Sequence, residues 1–213
     1  MKIGLFGGSF DPITNAHLIM AETAREQFKL DYVHFIPTSQ NPLKNGIRSN
    51  SQRRVDMIKL AIDSNRRFLL DYTDQINRYI NSIDTIEHIK KQRTQTIDEY
   101  YFIMGSDCLK TFHKWKDWEK ILENVTLLIG NRYSGPCECY SLFSDDNRER
   151  FENKIKTFDI PFTGISSTDV RNRVKTGKSI KYLVPESVEK YIYDNKLYNQ
   201  FKVKGETNGT EKV

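Results

Sequence analysis

The sequence predicts an α/β protein: a Rossmann-like, doubly wound parallel sheet with helices on both faces and a helical segment near the C-terminus. Two observations point there. Short apolar runs of strand length alternate with amphipathic helical stretches along the chain. A loop rich in glycine, serine and aspartate follows the first of those runs directly and leads into a helix, the arrangement in which open parallel sheets hold ligands.

Taken in order, Ile3 to Phe6 reads as a buried strand and Gly7 to Asn15 as loop. Ala16 to Phe28 is helical, with Leu18, Ala21, Ala24 and Phe28 on one face. Tyr32 to Pro37 is a second strand, and Ser51 to Ile62 a helix with Val55, Ile58 and Ile62 inward. Strands follow at Phe68 to Tyr72 and Tyr100 to Met104, separated by a helix over Ser82 to Lys91 carrying Ile83, Ile86 and Ile89. Val125 to Ile129 is another strand, and a weak one is placed around Phe158. The last helices are Ser167 to Lys175 and Pro185 to Asn195. Tyr133 to Lys156 reads as a surface insertion. One domain is expected over residues 1–200, and 201–213 form a polar, aperiodic tail expected to be disordered.

The 213 residues are 38% hydrophobic and 12% aromatic, enough for a sizeable core. A net charge of +5 suits a cleft that collects phosphates, but it equally suits a solvated surface. Charge alone decides nothing. Cys108, Cys137 and Cys139 cannot build a disulfide framework and offer no C-x-x-C pair, so free thiols in a reducing compartment are expected. The first apolar run breaks too early for a secretory signal and no run is long enough to span a bilayer. A cytoplasmic protein without membrane partners is the expectation.

Two stretches carry chemistry. After the first strand, Gly7-Gly8-Ser9-Phe10-Asp11-Pro12 leads to Thr14-Asn15-Ala16-His17 at the start of a helix. Small residues there let main-chain N–H groups approach a phosphate, and the helix N-terminus favours an anion. Thr14 offers a hydroxyl and His17 an N–H; a turn followed by a satisfied histidine is the plainer alternative. The second stretch is Gly164-Ile165-Ser166-Ser167-Thr168-Asp169-Val170-Arg171. Ser167 suits an N-cap, while the hydroxyls beside Arg171 suit phosphate oxygens. A well-capped helix and an anion grip are equally good accounts. Gly4, Gly7 and Gly8 do not form G-x-G-x-x-G, and Gly177-Lys178-Ser179 lacks the P-loop glycine at Asn172.

Together these stretches resemble the two signatures of the nucleotidyltransferase superfamily with the (H/T)-x-G-H motif, and within it the bacterial nicotinate-nucleotide adenylyltransferases. Gly105-Ser106-Asp107 followed by Trp115, Tyr182-Leu183-Val184-Pro185, Tyr191-Ile192 and Leu197-Tyr198 match as well, so the similarity runs from Lys2 to about Tyr198. The resemblance implies transfer of AMP from ATP to nicotinate mononucleotide, with Mg²⁺ carried in by ATP and no protein metal ligands. It implies catalytic roles for His17, Thr14 and Arg171, and ATP contacts from Gly7, Gly8, Ser9, the Phe10 main chain, Ser166 and Ser167. Gly105 and Asp107 would meet nucleotide sugar. Lys44 would reach a phosphate, Ser82 and Thr85 would line the nicotinate site, and Trp115 would stack on the pyridine ring.

Alternatives stand beside these roles. Leu109, Phe112, Trp115, Trp118 and Leu122 recur at helical spacing, which also marks a core stripe. Asp107 suits a helix N-cap. The chain departs from the family pattern in having Thr14 where many members carry His, Ala16 for Gly, and Ile80-Asn81-Ser82 for Ser-Tyr-Thr, which leaves acid-versus-amide preference open. Thr14-Asn15-Ala16-His17 also sits close to the pattern of pantetheine-phosphate adenylyltransferases. A nucleic-acid-binding module is disfavoured, because no strand interleaves aromatic and basic residues. The oligomeric state is open.

Overall fold

The computed structural model describes residues 1–39, 49–79, 81–93, 98–109, 111–131, 149–161 and 164–198. β1 (Lys2–Gly8), β2 (Tyr32–Pro37), β3 (Phe68–Leu70), β4 (Glu99–Gly105), β5 (Thr126–Asn131) and β6 (Ile155–Asp159) form one parallel sheet in the order β3-β2-β1-β4-β5-β6. This is a Rossmann-like doubly wound sheet. The strand order reverses between β1 and β4, and loops leaving their carboxyl ends part there to open a crevice. Glycines occupy those ends: Gly8 pairs in register with Pro37, and Gly105 with Gly130.

Both faces of the sheet are covered because strand side chains alternate. Phe6, Val33, Phe35 and Ile103 pack beneath α1 (Asn15–Phe28), α2 (Ser51–Ile62), α7 (Ser167–Lys175) and α8 (Glu186–Asp194). Ile3, Leu5, Phe102 and Ile129 pack under α4 (Ser82–Gln92), the short α5 (Ser106–Leu109) and α6 (Trp118–Asn124). Each fully buried Ile, Leu or Phe contributes roughly 1.5–3 kcal/mol by leaving water. Among the described residues no helix is long and apolar enough to cross a membrane.

Several elements differ from expectation for identifiable reasons. The third strand stops at Leu70 instead of Tyr72, because the Asp71 carboxylate accepts from the Thr73 N–H at 2.8 Å and turns the chain into α3 (Thr73–Asn77). In α1 the buried stripe is Ala16, Met20, Ala21 and Ala24; Leu18 and Phe28 pack only at its margin. The weak strand around Phe158 is a full edge strand, β6, which buries only Ile155 and Phe158 and so shows no clean alternation. The expected insertion therefore ends early. Residues 132–148 lie outside those described, but Phe151 is buried against Trp118, ring centroids 6.0 Å apart.

The series Leu109 to Leu122 is not one helix. It is broken into α5, a 3₁₀ turn over Phe112–Lys114 and α6, with Trp115 extended between them. Gly177, with φ of 69°, ends α7: its N–H bonds to the Val174 carbonyl and that of Lys178 to the Arg173 carbonyl. Gly177-Lys178-Ser179 is thus a helix stop of the Schellman type and has no phosphate-loop geometry. The expected tail, 201–213, lies outside the described residues.

Candidate active site

The loop that leaves β1 is held from behind. A Cβ on Gly8 would come within 2.9 Å of the Phe10 ring, so only glycine leaves room for that ring beneath the loop. Phe10 itself takes a left-handed backbone, φ 46°, and is buried edge-on against Phe6 at 5.4 Å. Its ring also meets that of His17, 5.2 Å between centroids, which fixes one face of the imidazole.

His17 stands in the first turn of α1 and its Nδ1 accepts from the Thr14 backbone N–H at 3.0 Å. An amide nitrogen only donates there, so Nδ1 is the acceptor and the neutral ring carries its proton on Nε2. The Thr14 hydroxyl lies 2.8 Å from the same Nδ1. Thr14 has no exposed surface. Its hydroxyl, expected at a phosphate, instead braces the imidazole.

The second signature closes on the first from 155 residues away. Ser167 Oγ donates to the Pro12 carbonyl at 2.8 Å, and Arg171 Nη1 to the Asp11 carbonyl at 2.7 Å. The N-cap of α7 is Ser166, not Ser167: Ser166 Oγ accepts from the Asp169 N–H at 3.1 Å. Arg171 Nη2 also donates to Thr168 Oγ1 at 3.1 Å, which aims the guanidinium along the helix end.

These groups face one cavity of about 410 Å³. Of the residues expected at the site, Gly7, Gly8, Ser9, Phe10, His17, Gly105, Asp107, Trp115, Ser166, Ser167 and Arg171 line it. The Asp107 carboxylate folds back over Gly105 so closely that a Cβ there would lie 2.5 Å from its oxygen. Ser9 Oγ and Trp115 Nε1 are buried in the cavity wall without a hydrogen-bond partner among the described residues. Trp115 packs on Phe112 and Phe102 at 5.4 and 6.1 Å, so it serves the core and the cavity together.

Other expected residues stand elsewhere. Ser82 and Thr85 sit on the first turn of α4 and are not among the lining residues. Thr85 is buried and donates to Asp74 Oδ1 at 2.5 Å. Burial pushes the Asp74 carboxyl up to about 6 despite that bond, with Asp71 and Asp84 adding to the rise. Ala16 lies inside α1, where ordinary helical backbone accepts a Cβ, and Asn81 is the N-cap of α4. Lys44 falls outside the described residues.

The sequence reading missed the supports of the loop. Asp11, only 3% exposed, accepts on Oδ1 from Ser49 Oγ and from the Tyr198 hydroxyl, the latter at 2.7 Å. Burial and the neighbouring Asp11 push the Tyr198 phenol far up, so it remains a donor. Arg54, wholly buried, donates to the carbonyls of Ser9 and Thr38. A signal for it existed: Arg54 falls on the same i, i+4, i+8 row as Ile58 and Ile62. Among the described residues no group of three His, Cys, Asp or Glu could hold a metal.

Comparison with known proteins gives the family. Residues 5–173 match the cytidylyltransferase-like family. A Dictyoglomus thermophilum protein named probable nicotinate-nucleotide adenylyltransferase is 42% identical over 199 residues, covering 93% of this chain and 100% of that protein. A Desulfitobacterium hafniense protein of the same name is 39% identical, covering 92% of this chain and 95% of its own length. In fold, the chain is similar to Plasmodium falciparum nicotinic acid mononucleotide adenylyltransferase complexed with NaAD, with TM-score 0.74, 20% identity and coverage of 92% and 97%. The complex of that protein with APC gives a TM-score of 0.72, again at 20% identity, covering 92% and 96%. The chain belongs to the cytidylyltransferase-like family and, within it, to the nicotinate-nucleotide adenylyltransferases: it is a nucleotidyltransferase of NAD biosynthesis.

Proposed function

We propose that the chain transfers the AMP part of ATP to nicotinate mononucleotide, forming nicotinate adenine dinucleotide and pyrophosphate by direct in-line attack, without a covalent enzyme intermediate. One observation carries the reading: Ser9 Oγ, buried and without a partner among the described residues, lines the same cavity as His17 and Arg171. A buried hydroxyl without a partner costs about 1–3 kcal/mol, and a phosphate oxygen would relieve it. The names of the bacterial relatives supply the acceptor.

In this reading a 5′-phosphate oxygen of nicotinate mononucleotide attacks the α-phosphorus of ATP. The bond to the bridging oxygen breaks and pyrophosphate leaves with the electron pair. The nucleophile has a second pKa near ~6 and is already largely dianionic at neutral pH, so no general base is required. The residues align two anions and stabilise charge on the phosphoryl oxygens. His17 Nε2–H and the Arg171 guanidinium act on those oxygens, with Ser9, the Phe10 main chain, Ser166 and Ser167 holding the phosphate chain. Thr14 works through His17. Gly105 and Asp107 take the ribose. Trp115 takes the pyridine ring, with Ser82 and Lys44 contributing to the acceptor side and Thr85 bracing the start of α4 through Asp74.

Mg²⁺ enters as part of the ATP substrate. The donor set fits that form: the polar side chains of the cavity include those of Ser9, Ser166, Ser167, Thr168, His17 and Arg171, and Mg²⁺ characteristically keeps phosphate oxygens and water as ligands.

The test is pyrophosphate release from Mg·ATP with nicotinate mononucleotide, nicotinamide mononucleotide or phosphopantetheine, together with the mass of the dinucleotide product. The expected order places nicotinate mononucleotide first in kcat/KM. Turnover with phosphopantetheine alone would move the chain to the sister activity. Salt-sensitive oligonucleotide binding without ATP consumption would remove it from catalysis.

A further inference from the structure

Arg54 is a charged residue set into an apolar layer. It has no exposed surface and stands on the inward side of α2 with the buried residues Val55, Met57 and Ile58. Its hydrogen bonds run to main-chain carbonyls: Nη1 to Ser9 and Nη2 to Thr38, both at 2.7 Å. Nε is buried without a hydrogen-bond partner among the described residues. The two carbonyls lie just past the carboxyl ends of β1 and β2, so the guanidinium sits directly beneath the loop that lines the cavity.

This placement has a geometric consequence. The Ser9–Phe10 peptide is trans, and in a planar trans peptide the C=O and the following N–H point to opposite sides. Drawing the Ser9 carbonyl inward to Arg54 therefore turns the Phe10 N–H outward. Phe10 also holds a left-handed backbone that a non-glycine residue adopts at a cost, and the bond to Ser9 helps to maintain it. An electrostatic consequence follows as well. Burial pulls the Arg54 pKa down while the nearby buried Asp11 carboxylate holds it up, so the guanidinium charge behind the loop is offset by an anion of that same loop.

We propose that Arg54 is a positioning residue for nucleotidyl transfer: by holding the Ser9 carbonyl it presents the Phe10 N–H to the triphosphate of ATP. This inference rests on the reading that ATP phosphates lie along the β1–α1 loop. The competing account is a core arginine that only staples two loops together.

Charge and geometry can be separated in the full chain with Arg54→Lys, which keeps the charge, and Arg54→Met, which keeps the stem. Tyr191→Phe is the control. It removes the 2.9 Å bond from Tyr191 to Asp56 on the same helix, away from the cavity. Melting temperature, kcat and KM for each substrate are measured for all three. The positioning role predicts that Arg54→Lys raises KM for ATP by about tenfold, the scale of one charge-assisted hydrogen bond, while KM for nicotinate mononucleotide stays within twofold. Arg54→Met should raise it further, and Tyr191→Phe should lower the melting temperature with both KM values unchanged. Should Arg54→Met not fold, Arg54→Lys carries the test alone. An Arg54→Lys enzyme that melts earlier but keeps the parental KM for ATP, or one that loses both substrates equally, overturns the proposal. A parent chain that consumes no ATP overturns the functional reading first, and this proposal with it.

Discussion

The Thr14 amide donates to His17 Nδ1 at 3.0 Å, and this single bond decides which imidazole nitrogen bears the proton. Replacing His17 with alanine removes the Nε2–H and should lower kcat by about 10²–10³, the usual cost of one well-placed donor. The circular dichroism spectrum should be unchanged. Thr14→Val keeps the amide, so kcat should fall by less than about tenfold. Loss of the N-cap hydroxyl should cost about 1 kcal/mol of stability. Steady-state turnover with Mg·ATP and thermal melts check both, and a kcat loss in Thr14→Val as large as that of His17→Ala would return the threonine to the reacting phosphates.

Ser166 caps α7 and lines the cavity, so its two roles can be pulled apart by substitution. Ser166→Ala should lose about 1 kcal/mol in urea unfolding. Ser166→Asp should regain the cap yet set an anion against the phosphates, raising KM for ATP by at least about tenfold. A Ser166→Asp enzyme with parental KM would place the phosphates away from this helix end.

Gly105 leaves the space that the Asp107 carboxylate fills, 2.5 Å from where a Cβ would stand. Gly105→Ala must push that carboxylate aside. The next neighbour, Met20 Cε, would be 3.6 Å away and tolerates the methyl. The expected result is a KM for ATP raised about tenfold, as for one displaced ribose bond, with kcat nearly unchanged. Initial-rate kinetics decide it; equal losses in kcat and kcat/KM would put Gly105 in the transition state instead.

Asp74 gives a pH dependence of definite sign. Its carboxyl is raised from 3.8 to about 6 in the folded chain, chiefly by burial. Between those values the folded state holds a proton that the unfolded state has released, so stability falls as pH rises, and above about 6 the penalty is complete. Asp74→Asn keeps an acceptor for Thr85 and carries no charge. It should be more stable than the parent at pH 7.5, by up to about 3 kcal/mol, with the gain vanishing near pH 4. Urea unfolding at both pH values measures it. The same gain at both would assign the effect to packing.

Much of the architecture was legible because strand and helix periods are local properties. α7 begins and ends where its pattern places it, at Ser167 and Lys175, and β2 at Tyr32 and Pro37. The cavity-facing glycines and hydroxyls were legible for the same reason, since they sit in contiguous motifs. What escaped depends on contacts between distant segments. Nothing near Tyr198 says that its hydroxyl meets Asp11, and Trp115 looked helical because spacing does not reveal the 3₁₀ turn and extended residue that interrupt the run. Arg54 was the readable exception, a lone charge on an apolar row. Thr85 matches the acceptor side by family pattern, whereas its hydroxyl is taken up by Asp74 on a short helix, α3, that the apolar pattern does not mark.

The bond from Tyr198 to Asp11 joins residues 187 positions apart. A growing polypeptide that has emerged only as far as α1 owns the glycines and the histidine, but not the brace behind them. Because Tyr198 follows α8, that brace is complete only once the chain has been made past its last described helix, and competence to grip a nucleotide waits for it.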